Sequence, residues 1–107
     1  MFLTVTINDE YHRLEVPDAI VDSAGEFFRK LDADMNGGWR MGREFIENPD
    51  LTQRCQIVAD RLLTALEGNH RERALLFAAY LLARLPRDTR VAIDTAGEAQ
   101  RTIFYPA

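Results

Sequence analysis

Three oxygen-bearing side chains at alternate positions, Asp32, Asp34 and Asn36, run directly into Gly37-Gly38 and then Trp39, the one tryptophan of the chain. No other stretch gathers so much chemistry. Hard oxygen ligands suit a hard divalent cation such as Ca²⁺ or Mg²⁺, and a chain that curls through glycine turns alternate side chains towards one point. Gly38 adds a backbone carbonyl and Glu44 or Glu47 lies downstream, so Asp32, Asp34, Asn36, Gly38 and Glu44 form the candidate metal set. The same residues have a structural reading. The two aspartates and the asparagine cap and turn the chain, Arg40 or Arg43 pairs with the aspartates, and Trp39 with Met41 plugs the core.

With Asp32 taken as the first position, Asp34, Asn36, Gly37 and Gly38 fall at the third, fifth, sixth and seventh, and Trp39 at the eighth. This segment resembles the opening of an EF-hand calcium loop, flanked by helices. The resemblance implies weak binding of Ca²⁺ or Mg²⁺ and stops after Trp39. Arg40 occupies the ninth position and Arg43 the twelfth, where the family carries its bidentate glutamate, while Glu44 stands one residue too late.

Other reactive residue types are isolated. His12 and His70 have no partner at metal-ligand spacing. Cys55 lies on the apolar stripe Leu51, Cys55, Val58, Leu62, Leu66 and reads as a small buried hydrophobe rather than a nucleophile. Arg71, Arg73, Arg84, Arg87 and Arg90 bracket an apolar run but lack the glycine-rich cradle or interleaved aromatics of a phosphate site.

At 107 residues the chain is sized for one domain, and its 47% hydrophobic and 28% charged content is that of a globular protein. A single cysteine excludes an internal disulfide and suits a reducing cytoplasm. The charge is uneven. Residues 1–49 carry five basic against ten acidic side chains, a balance of −5, whereas 50–107 carry eight against seven, or +1. Such a balance argues against nonspecific nucleic-acid binding, which needs clustered Lys and Arg. The longest apolar run, Ala74 to Ala83, is ten residues, too short for a bilayer span of roughly 20.

The elements that must position these residues follow from periodicity. Leu3, Val5 and Ile7 alternate with Thr4 and Thr6, and His12, Leu14 and Val16 alternate again after Asn8-Asp9-Glu10, which predicts a β-hairpin with a two- or three-residue loop. Pro17-Asp18 starts one amphipathic helix ending within Leu31–Asn36, and Arg40–Asn48 reads as a short second helix. Asp50 with Gln53 forms a capping box for a long helix, Glu67-Gly68-Asn69-His70 interrupts, and a buried helix runs from about Arg71 to Leu85. Val91–Thr95 and Ala99–Tyr105 form a second hairpin.

The expected fold is α+β, with N- and C-terminal hairpins flanking three to four helices, joined as one antiparallel sheet with the helices on one face. The expected role is that of a soluble, non-enzymatic protein-interaction or regulatory domain, a homodimer through a hairpin edge. A patch of exposed apolar side chains including Phe2, Phe104 or Tyr105 would favour that role. A weak divalent-cation module built on the Asp32–Glu47 loop is the alternative.

Overall fold

The computed structural model describes residues 1–107 and shows an α+β fold. Strands β1 (Phe2–Ile7) and β2 (Glu10–Glu15) form the first hairpin. Its two loop residues, Asn8 and Asp9, take φ of 51° and 66°, the left-handed pair of a type I′ turn whose twist suits the strands. Helices α1 (Asp18–Ser23) and α2 (Gly25–Asn36) follow where one helix was expected. The Ser23 hydroxyl donates to the Ala19 carbonyl at 2.6 Å, a back-bond that bends helices, and Gly25 just beyond lowers the cost of the break.

The segment after Asn36 is also not helical. Trp39–Met41 (β3) and Glu44–Ile46 (β4) pair antiparallel around Gly42-Arg43, and Gly42 sits at φ 62°, a conformation glycine enters without strain. Asp50 then caps α3 (Leu51–Glu67) with the reciprocal Gln53 bonds of a capping box, at 2.8 and 2.9 Å. After a turn with Asn69 at φ 57° comes α4 (Arg71–Arg84). Strand β5 (Arg90–Ala92), a 3₁₀ turn (Ala99–Arg101) and β6 (Ile103–Tyr105) complete the chain, β5 and β6 pairing antiparallel.

Both hairpins belong to one four-stranded sheet of order β2-β1-β5-β6. It is mixed rather than wholly antiparallel, because β1 and β5 run parallel, Thr4 beside Arg90 and Thr6 beside Ala92. The helices between them provide the long crossover that parallel neighbours require. Leu3, Val5 and Val91 are buried on one face, where they join Phe28, Met35, Cys55, Leu62, Phe77, Tyr80 and Leu81 in a single core. No helix is long and apolar enough to cross a membrane.

Candidate functional site

The residues of the candidate metal set do not form a cage. Asp32, Asp34 and Asn36 lie within helix α2, and side chains two apart on a helix diverge by about 200° instead of converging. Asp34 is exposed, Gly38 sits beyond the helix at φ 101°, and Glu44 and Glu47 face solvent on and after β4. No three His, Cys, Asp or Glu side chains converge anywhere.

Asp32 instead faces inward onto cations supplied by the protein. Its carboxylate accepts from the Tyr80 hydroxyl at 2.6 Å, from Arg84 Nη2 at 3.0 Å and from Arg54 Nη1 at 3.4 Å. Burial pushes this carboxyl up, but the bonds from Tyr80 and Arg84, the Arg84 charge and the bond from Arg54 outweigh it and hold it below its ordinary value. Burial together with the Asp32 partnership drives the Tyr80 hydroxyl up, so it is a committed donor.

Arg54 knots three segments together. Besides Asp32 Oδ1 and the Asp32 carbonyl, it donates to Asn36 Oδ1 at 2.7 Å, Asn48 Oδ1 at 3.2 Å and the Pro49 carbonyl at 2.8 Å. All three nitrogens of the guanidinium are engaged, and they tie the end of α2 and the Asn48-Pro49 turn onto α3. Asp32 and Asn36, four apart, share a helix face that serves this arginine. Arg40 and Arg43, the expected partners, take no part.

No metal-binding cluster gathers the histidines and the cysteine. His12 Nε2 stands 3.8 Å from Glu10 Oε2 on the exposed β2, and His70 leads into α4. Cys55 is fully buried, and burial, opposed by Arg84 and reinforced by Asp32, pushes its thiol up to about 11. A thiol so protonated is no nucleophile at neutral pH.

What remains uncovered is the outer face of the sheet. Alternation directs Phe2, Thr4 and Thr6 of β1, Tyr11, Arg13 and Glu15 of β2, Arg90 and Ala92 of β5, and Ile103 and Tyr105 of β6 away from the helices. Register sets Arg13, Thr4, Arg90 and Tyr105 in one row across the four strands, and Tyr11, Thr6, Ala92 and Ile103 in the next. Phe2, Tyr11, Ile103 and Tyr105 are 48, 67, 51 and 43% exposed. Phe104 points the other way and packs against the core.

Two arginines organise these rings. The Arg90 guanidinium lies 4.7 Å from the Tyr105 ring centre and 5.5 Å from that of Tyr11, and its Nη1 donates to the Tyr11 hydroxyl at 3.0 Å. Arg13 stacks 4.1 Å over Phe2. Neither forms an ion pair with a carboxylate of the chain. An acidic chain thus displays a face carrying two arginines against the single Glu15, set among aromatic rings.

Signals for both arrangements lie in the sequence. Tyr80 is the one polar side chain inside the apolar run of α4, and a buried tyrosine hydroxyl demands a partner. The outer face follows from strand parity, since Tyr11 and Arg13 alternate with His12 and Leu14, but joining them to Arg90 and Tyr105 needs the strand order. Comparison with protein-family models, with curated proteins and with solved structures finds no match to this chain.

Proposed function

We propose that the chain is a protein-interaction domain, binding rather than catalysing, and that it docks a partner on the outer face of its four-stranded sheet. The observation that carries this reading is the gathering of Phe2, Tyr11, Ile103 and Tyr105, all exposed, around Arg13 and Arg90 on a face that no helix covers. Tyrosine and arginine are the residue types in which binding energy concentrates, because they combine large contact area with directional polar groups. Both guanidiniums are already oriented by stacking, so little side-chain freedom is lost on binding. The partner surface that fits is apolar with acidic residues placed to meet Arg13 and Arg90.

Panning the chain against displayed short random peptides tests this. Enriched peptides are expected to pair Asp or Glu with aromatic or aliphatic residues, and to shift the amide resonances of Tyr11, Arg90, Ile103 and Tyr105. The double variant Ile103→Asp/Tyr105→Ala should bind them roughly thirtyfold more weakly or worse, the loss of one strong anchor. Absence of enrichment, or binding that survives in the variant, overturns the proposal.

A further inference from the structure

The edge of the sheet at β2 is open in a way the edge at β6 is not. Strand β6 has three residues and runs into Pro106, and short length and proline both block further pairing. Strand β2 pairs with β1 over six residues without a bulge, contains no proline or lysine, and is exposed at every position but Leu14. Nothing lies beyond it in the sheet.

Its free hydrogen-bonding groups can be identified residue by residue. Met1 and Val16 exchange both backbone bonds at 2.7 Å. In an antiparallel ladder such pairs alternate with pairs that exchange none. Leu14, His12 and Glu10 therefore turn their amides and carbonyls towards β1, whereas Glu15, Arg13 and Tyr11 turn theirs outward.

A second copy arriving antiparallel about a two-fold axis must set its own outward-facing residues opposite these. Only an axis through His12, Arg13 or Leu14 pairs two or more of Tyr11, Arg13 and Glu15 with one another. An axis through Arg13 sets that arginine against itself, which is repulsive. An axis through His12 opposes Arg13 to the Tyr11 ring and brings Glu15 against Asp9, a like-charge approach within the turn. With the axis through Leu14, Arg13 faces Glu15 of the second copy and Glu15 faces its Arg13. Two ion pairs then form on the outer face, from side chains that have no ion-pair partner within one chain.

Apolar contact favours the same register. Beside β2, between it and the α3–α4 pair, lies a cavity of about 760 Å³ with an apolar floor of Leu14, Ala65, Leu66, Ala74, Leu75 and Ala78. An axis through Leu14 brings the two Leu14 side chains together at the mouth of this cavity, in a non-hydrogen-bonded pair where side chains approach most closely. The cavity can then receive the Leu14 side chain of the incoming strand.

We infer that a second copy of this chain adds to the β2 edge with Arg13 opposite Glu15, joining two four-stranded sheets into one of eight strands. The inference deepens the interaction reading, because the outer faces of both copies then form one continuous platform. Pairing ends at Pro17, which has no amide to donate.

Charge exchange followed by light scattering and sedimentation decides the matter. Arg13→Glu and Glu15→Arg should each weaken dimerisation about thirtyfold by turning both ion pairs into like-charge pairs. The double variant Arg13→Glu/Glu15→Arg should dimerise like the wild type, and the two single variants, mixed, should form a heterodimer although neither dimerises alone. Under mild oxidant Leu14→Cys should crosslink the dimer and His12→Cys should not. A wild-type chain that stays monomeric at the highest concentration it tolerates overturns the inference. So do single variants that dimerise normally, or crosslinking at His12 in place of Leu14. Ile103→Asp/Tyr105→Ala, on the far edge, should leave the dimer intact, so that failure of the outer-face reading and failure of this one are separable.

Discussion

Replacing Asp32 by alanine probes whether this carboxylate holds the fold or serves an external ion. The Tyr80 hydroxyl, on a residue with 0% exposure, loses its acceptor, and a buried bond to a charged group contributes about 1.5–3 kcal/mol. The Arg54 and Arg84 side chains are 15% and 30% exposed, so water replaces part of what they lose. Each then adds only about 0.5 kcal/mol. The expected cost is about 3 kcal/mol, which for a domain near 100 residues lowers Tm by roughly 12–20 °C. Asp32→Asn keeps an acceptor for Tyr80 and should cost about half as much, while the exposed Asp34→Ala should stay within about 0.5 kcal/mol. Urea unfolding followed by Trp39 fluorescence measures all three.

The pH dependence has a fixed sign. The folded-state carboxyl of Asp32 lies below its ordinary value of 3.8, so the stability contributed by its charge is complete above that value and disappears as pH falls through the lower, folded one. The stability gap between wild type and Asp32→Ala should therefore hold steady from neutrality to about pH 4 and narrow below it, towards the gap between Asp32→Asn and Asp32→Ala. An Asp32→Ala midpoint equal to that of the wild type, or an Asp34→Ala cost as large as that of Asp32→Ala, refutes the reasoning.

Other outcomes follow from the same geometry. Calorimetric titration with Ca²⁺ or Mg²⁺ at millimolar concentration should give no site-specific heat and no change in Trp39 fluorescence, since Asp32 is committed to Tyr80, Arg84 and Arg54. Iodoacetamide at neutral pH should leave Cys55 unmodified in the native protein and alkylate it in denaturant, because its thiol is buried and pushed up to about 11. Gly38→Ala should cost about 1–3 kcal/mol by forcing a side chain into φ 101°, whereas Gly37→Ala, at φ −81° in open space, should be close to neutral in urea unfolding.

Where sequence and fold agreed, the signal was local and redundant. The Asp50–Gln53 capping box, the period-two strands of the first hairpin and the apolar run of α4 each carry several cues pointing the same way. The failures came where one residue tips the balance. A break at Ala24 divides a helix whose apolar spacing runs straight through it, and the Gly42-Arg43 turn converts an apparent helix into β3–β4. At Asp32 the sequence admits two readings for a different reason. Alternation of oxygens suggests a curled loop, yet Leu31, Asp32 and Met35 also fit one inward helix face, and the partners that decide between these, Arg54, Tyr80 and Arg84, lie 22 to 52 residues away. The parallel pairing of β1 with β5 is likewise a long-range fact that neither strand records.

That parallel pairing also imposes an order of events on synthesis. Thr4 leaves the ribosome early, but Arg90, its neighbour in the sheet, emerges only after all four helices. The first hairpin must wait with one face apolar and β1 without its second neighbour, while α3 and α4, joined by a tight turn, can pack against each other as soon as both are made. The helical pair is thus ready to serve as the surface on which the sheet is completed. The interval before β5 arrives is when the nascent chain is most exposed to mispairing with others of its kind.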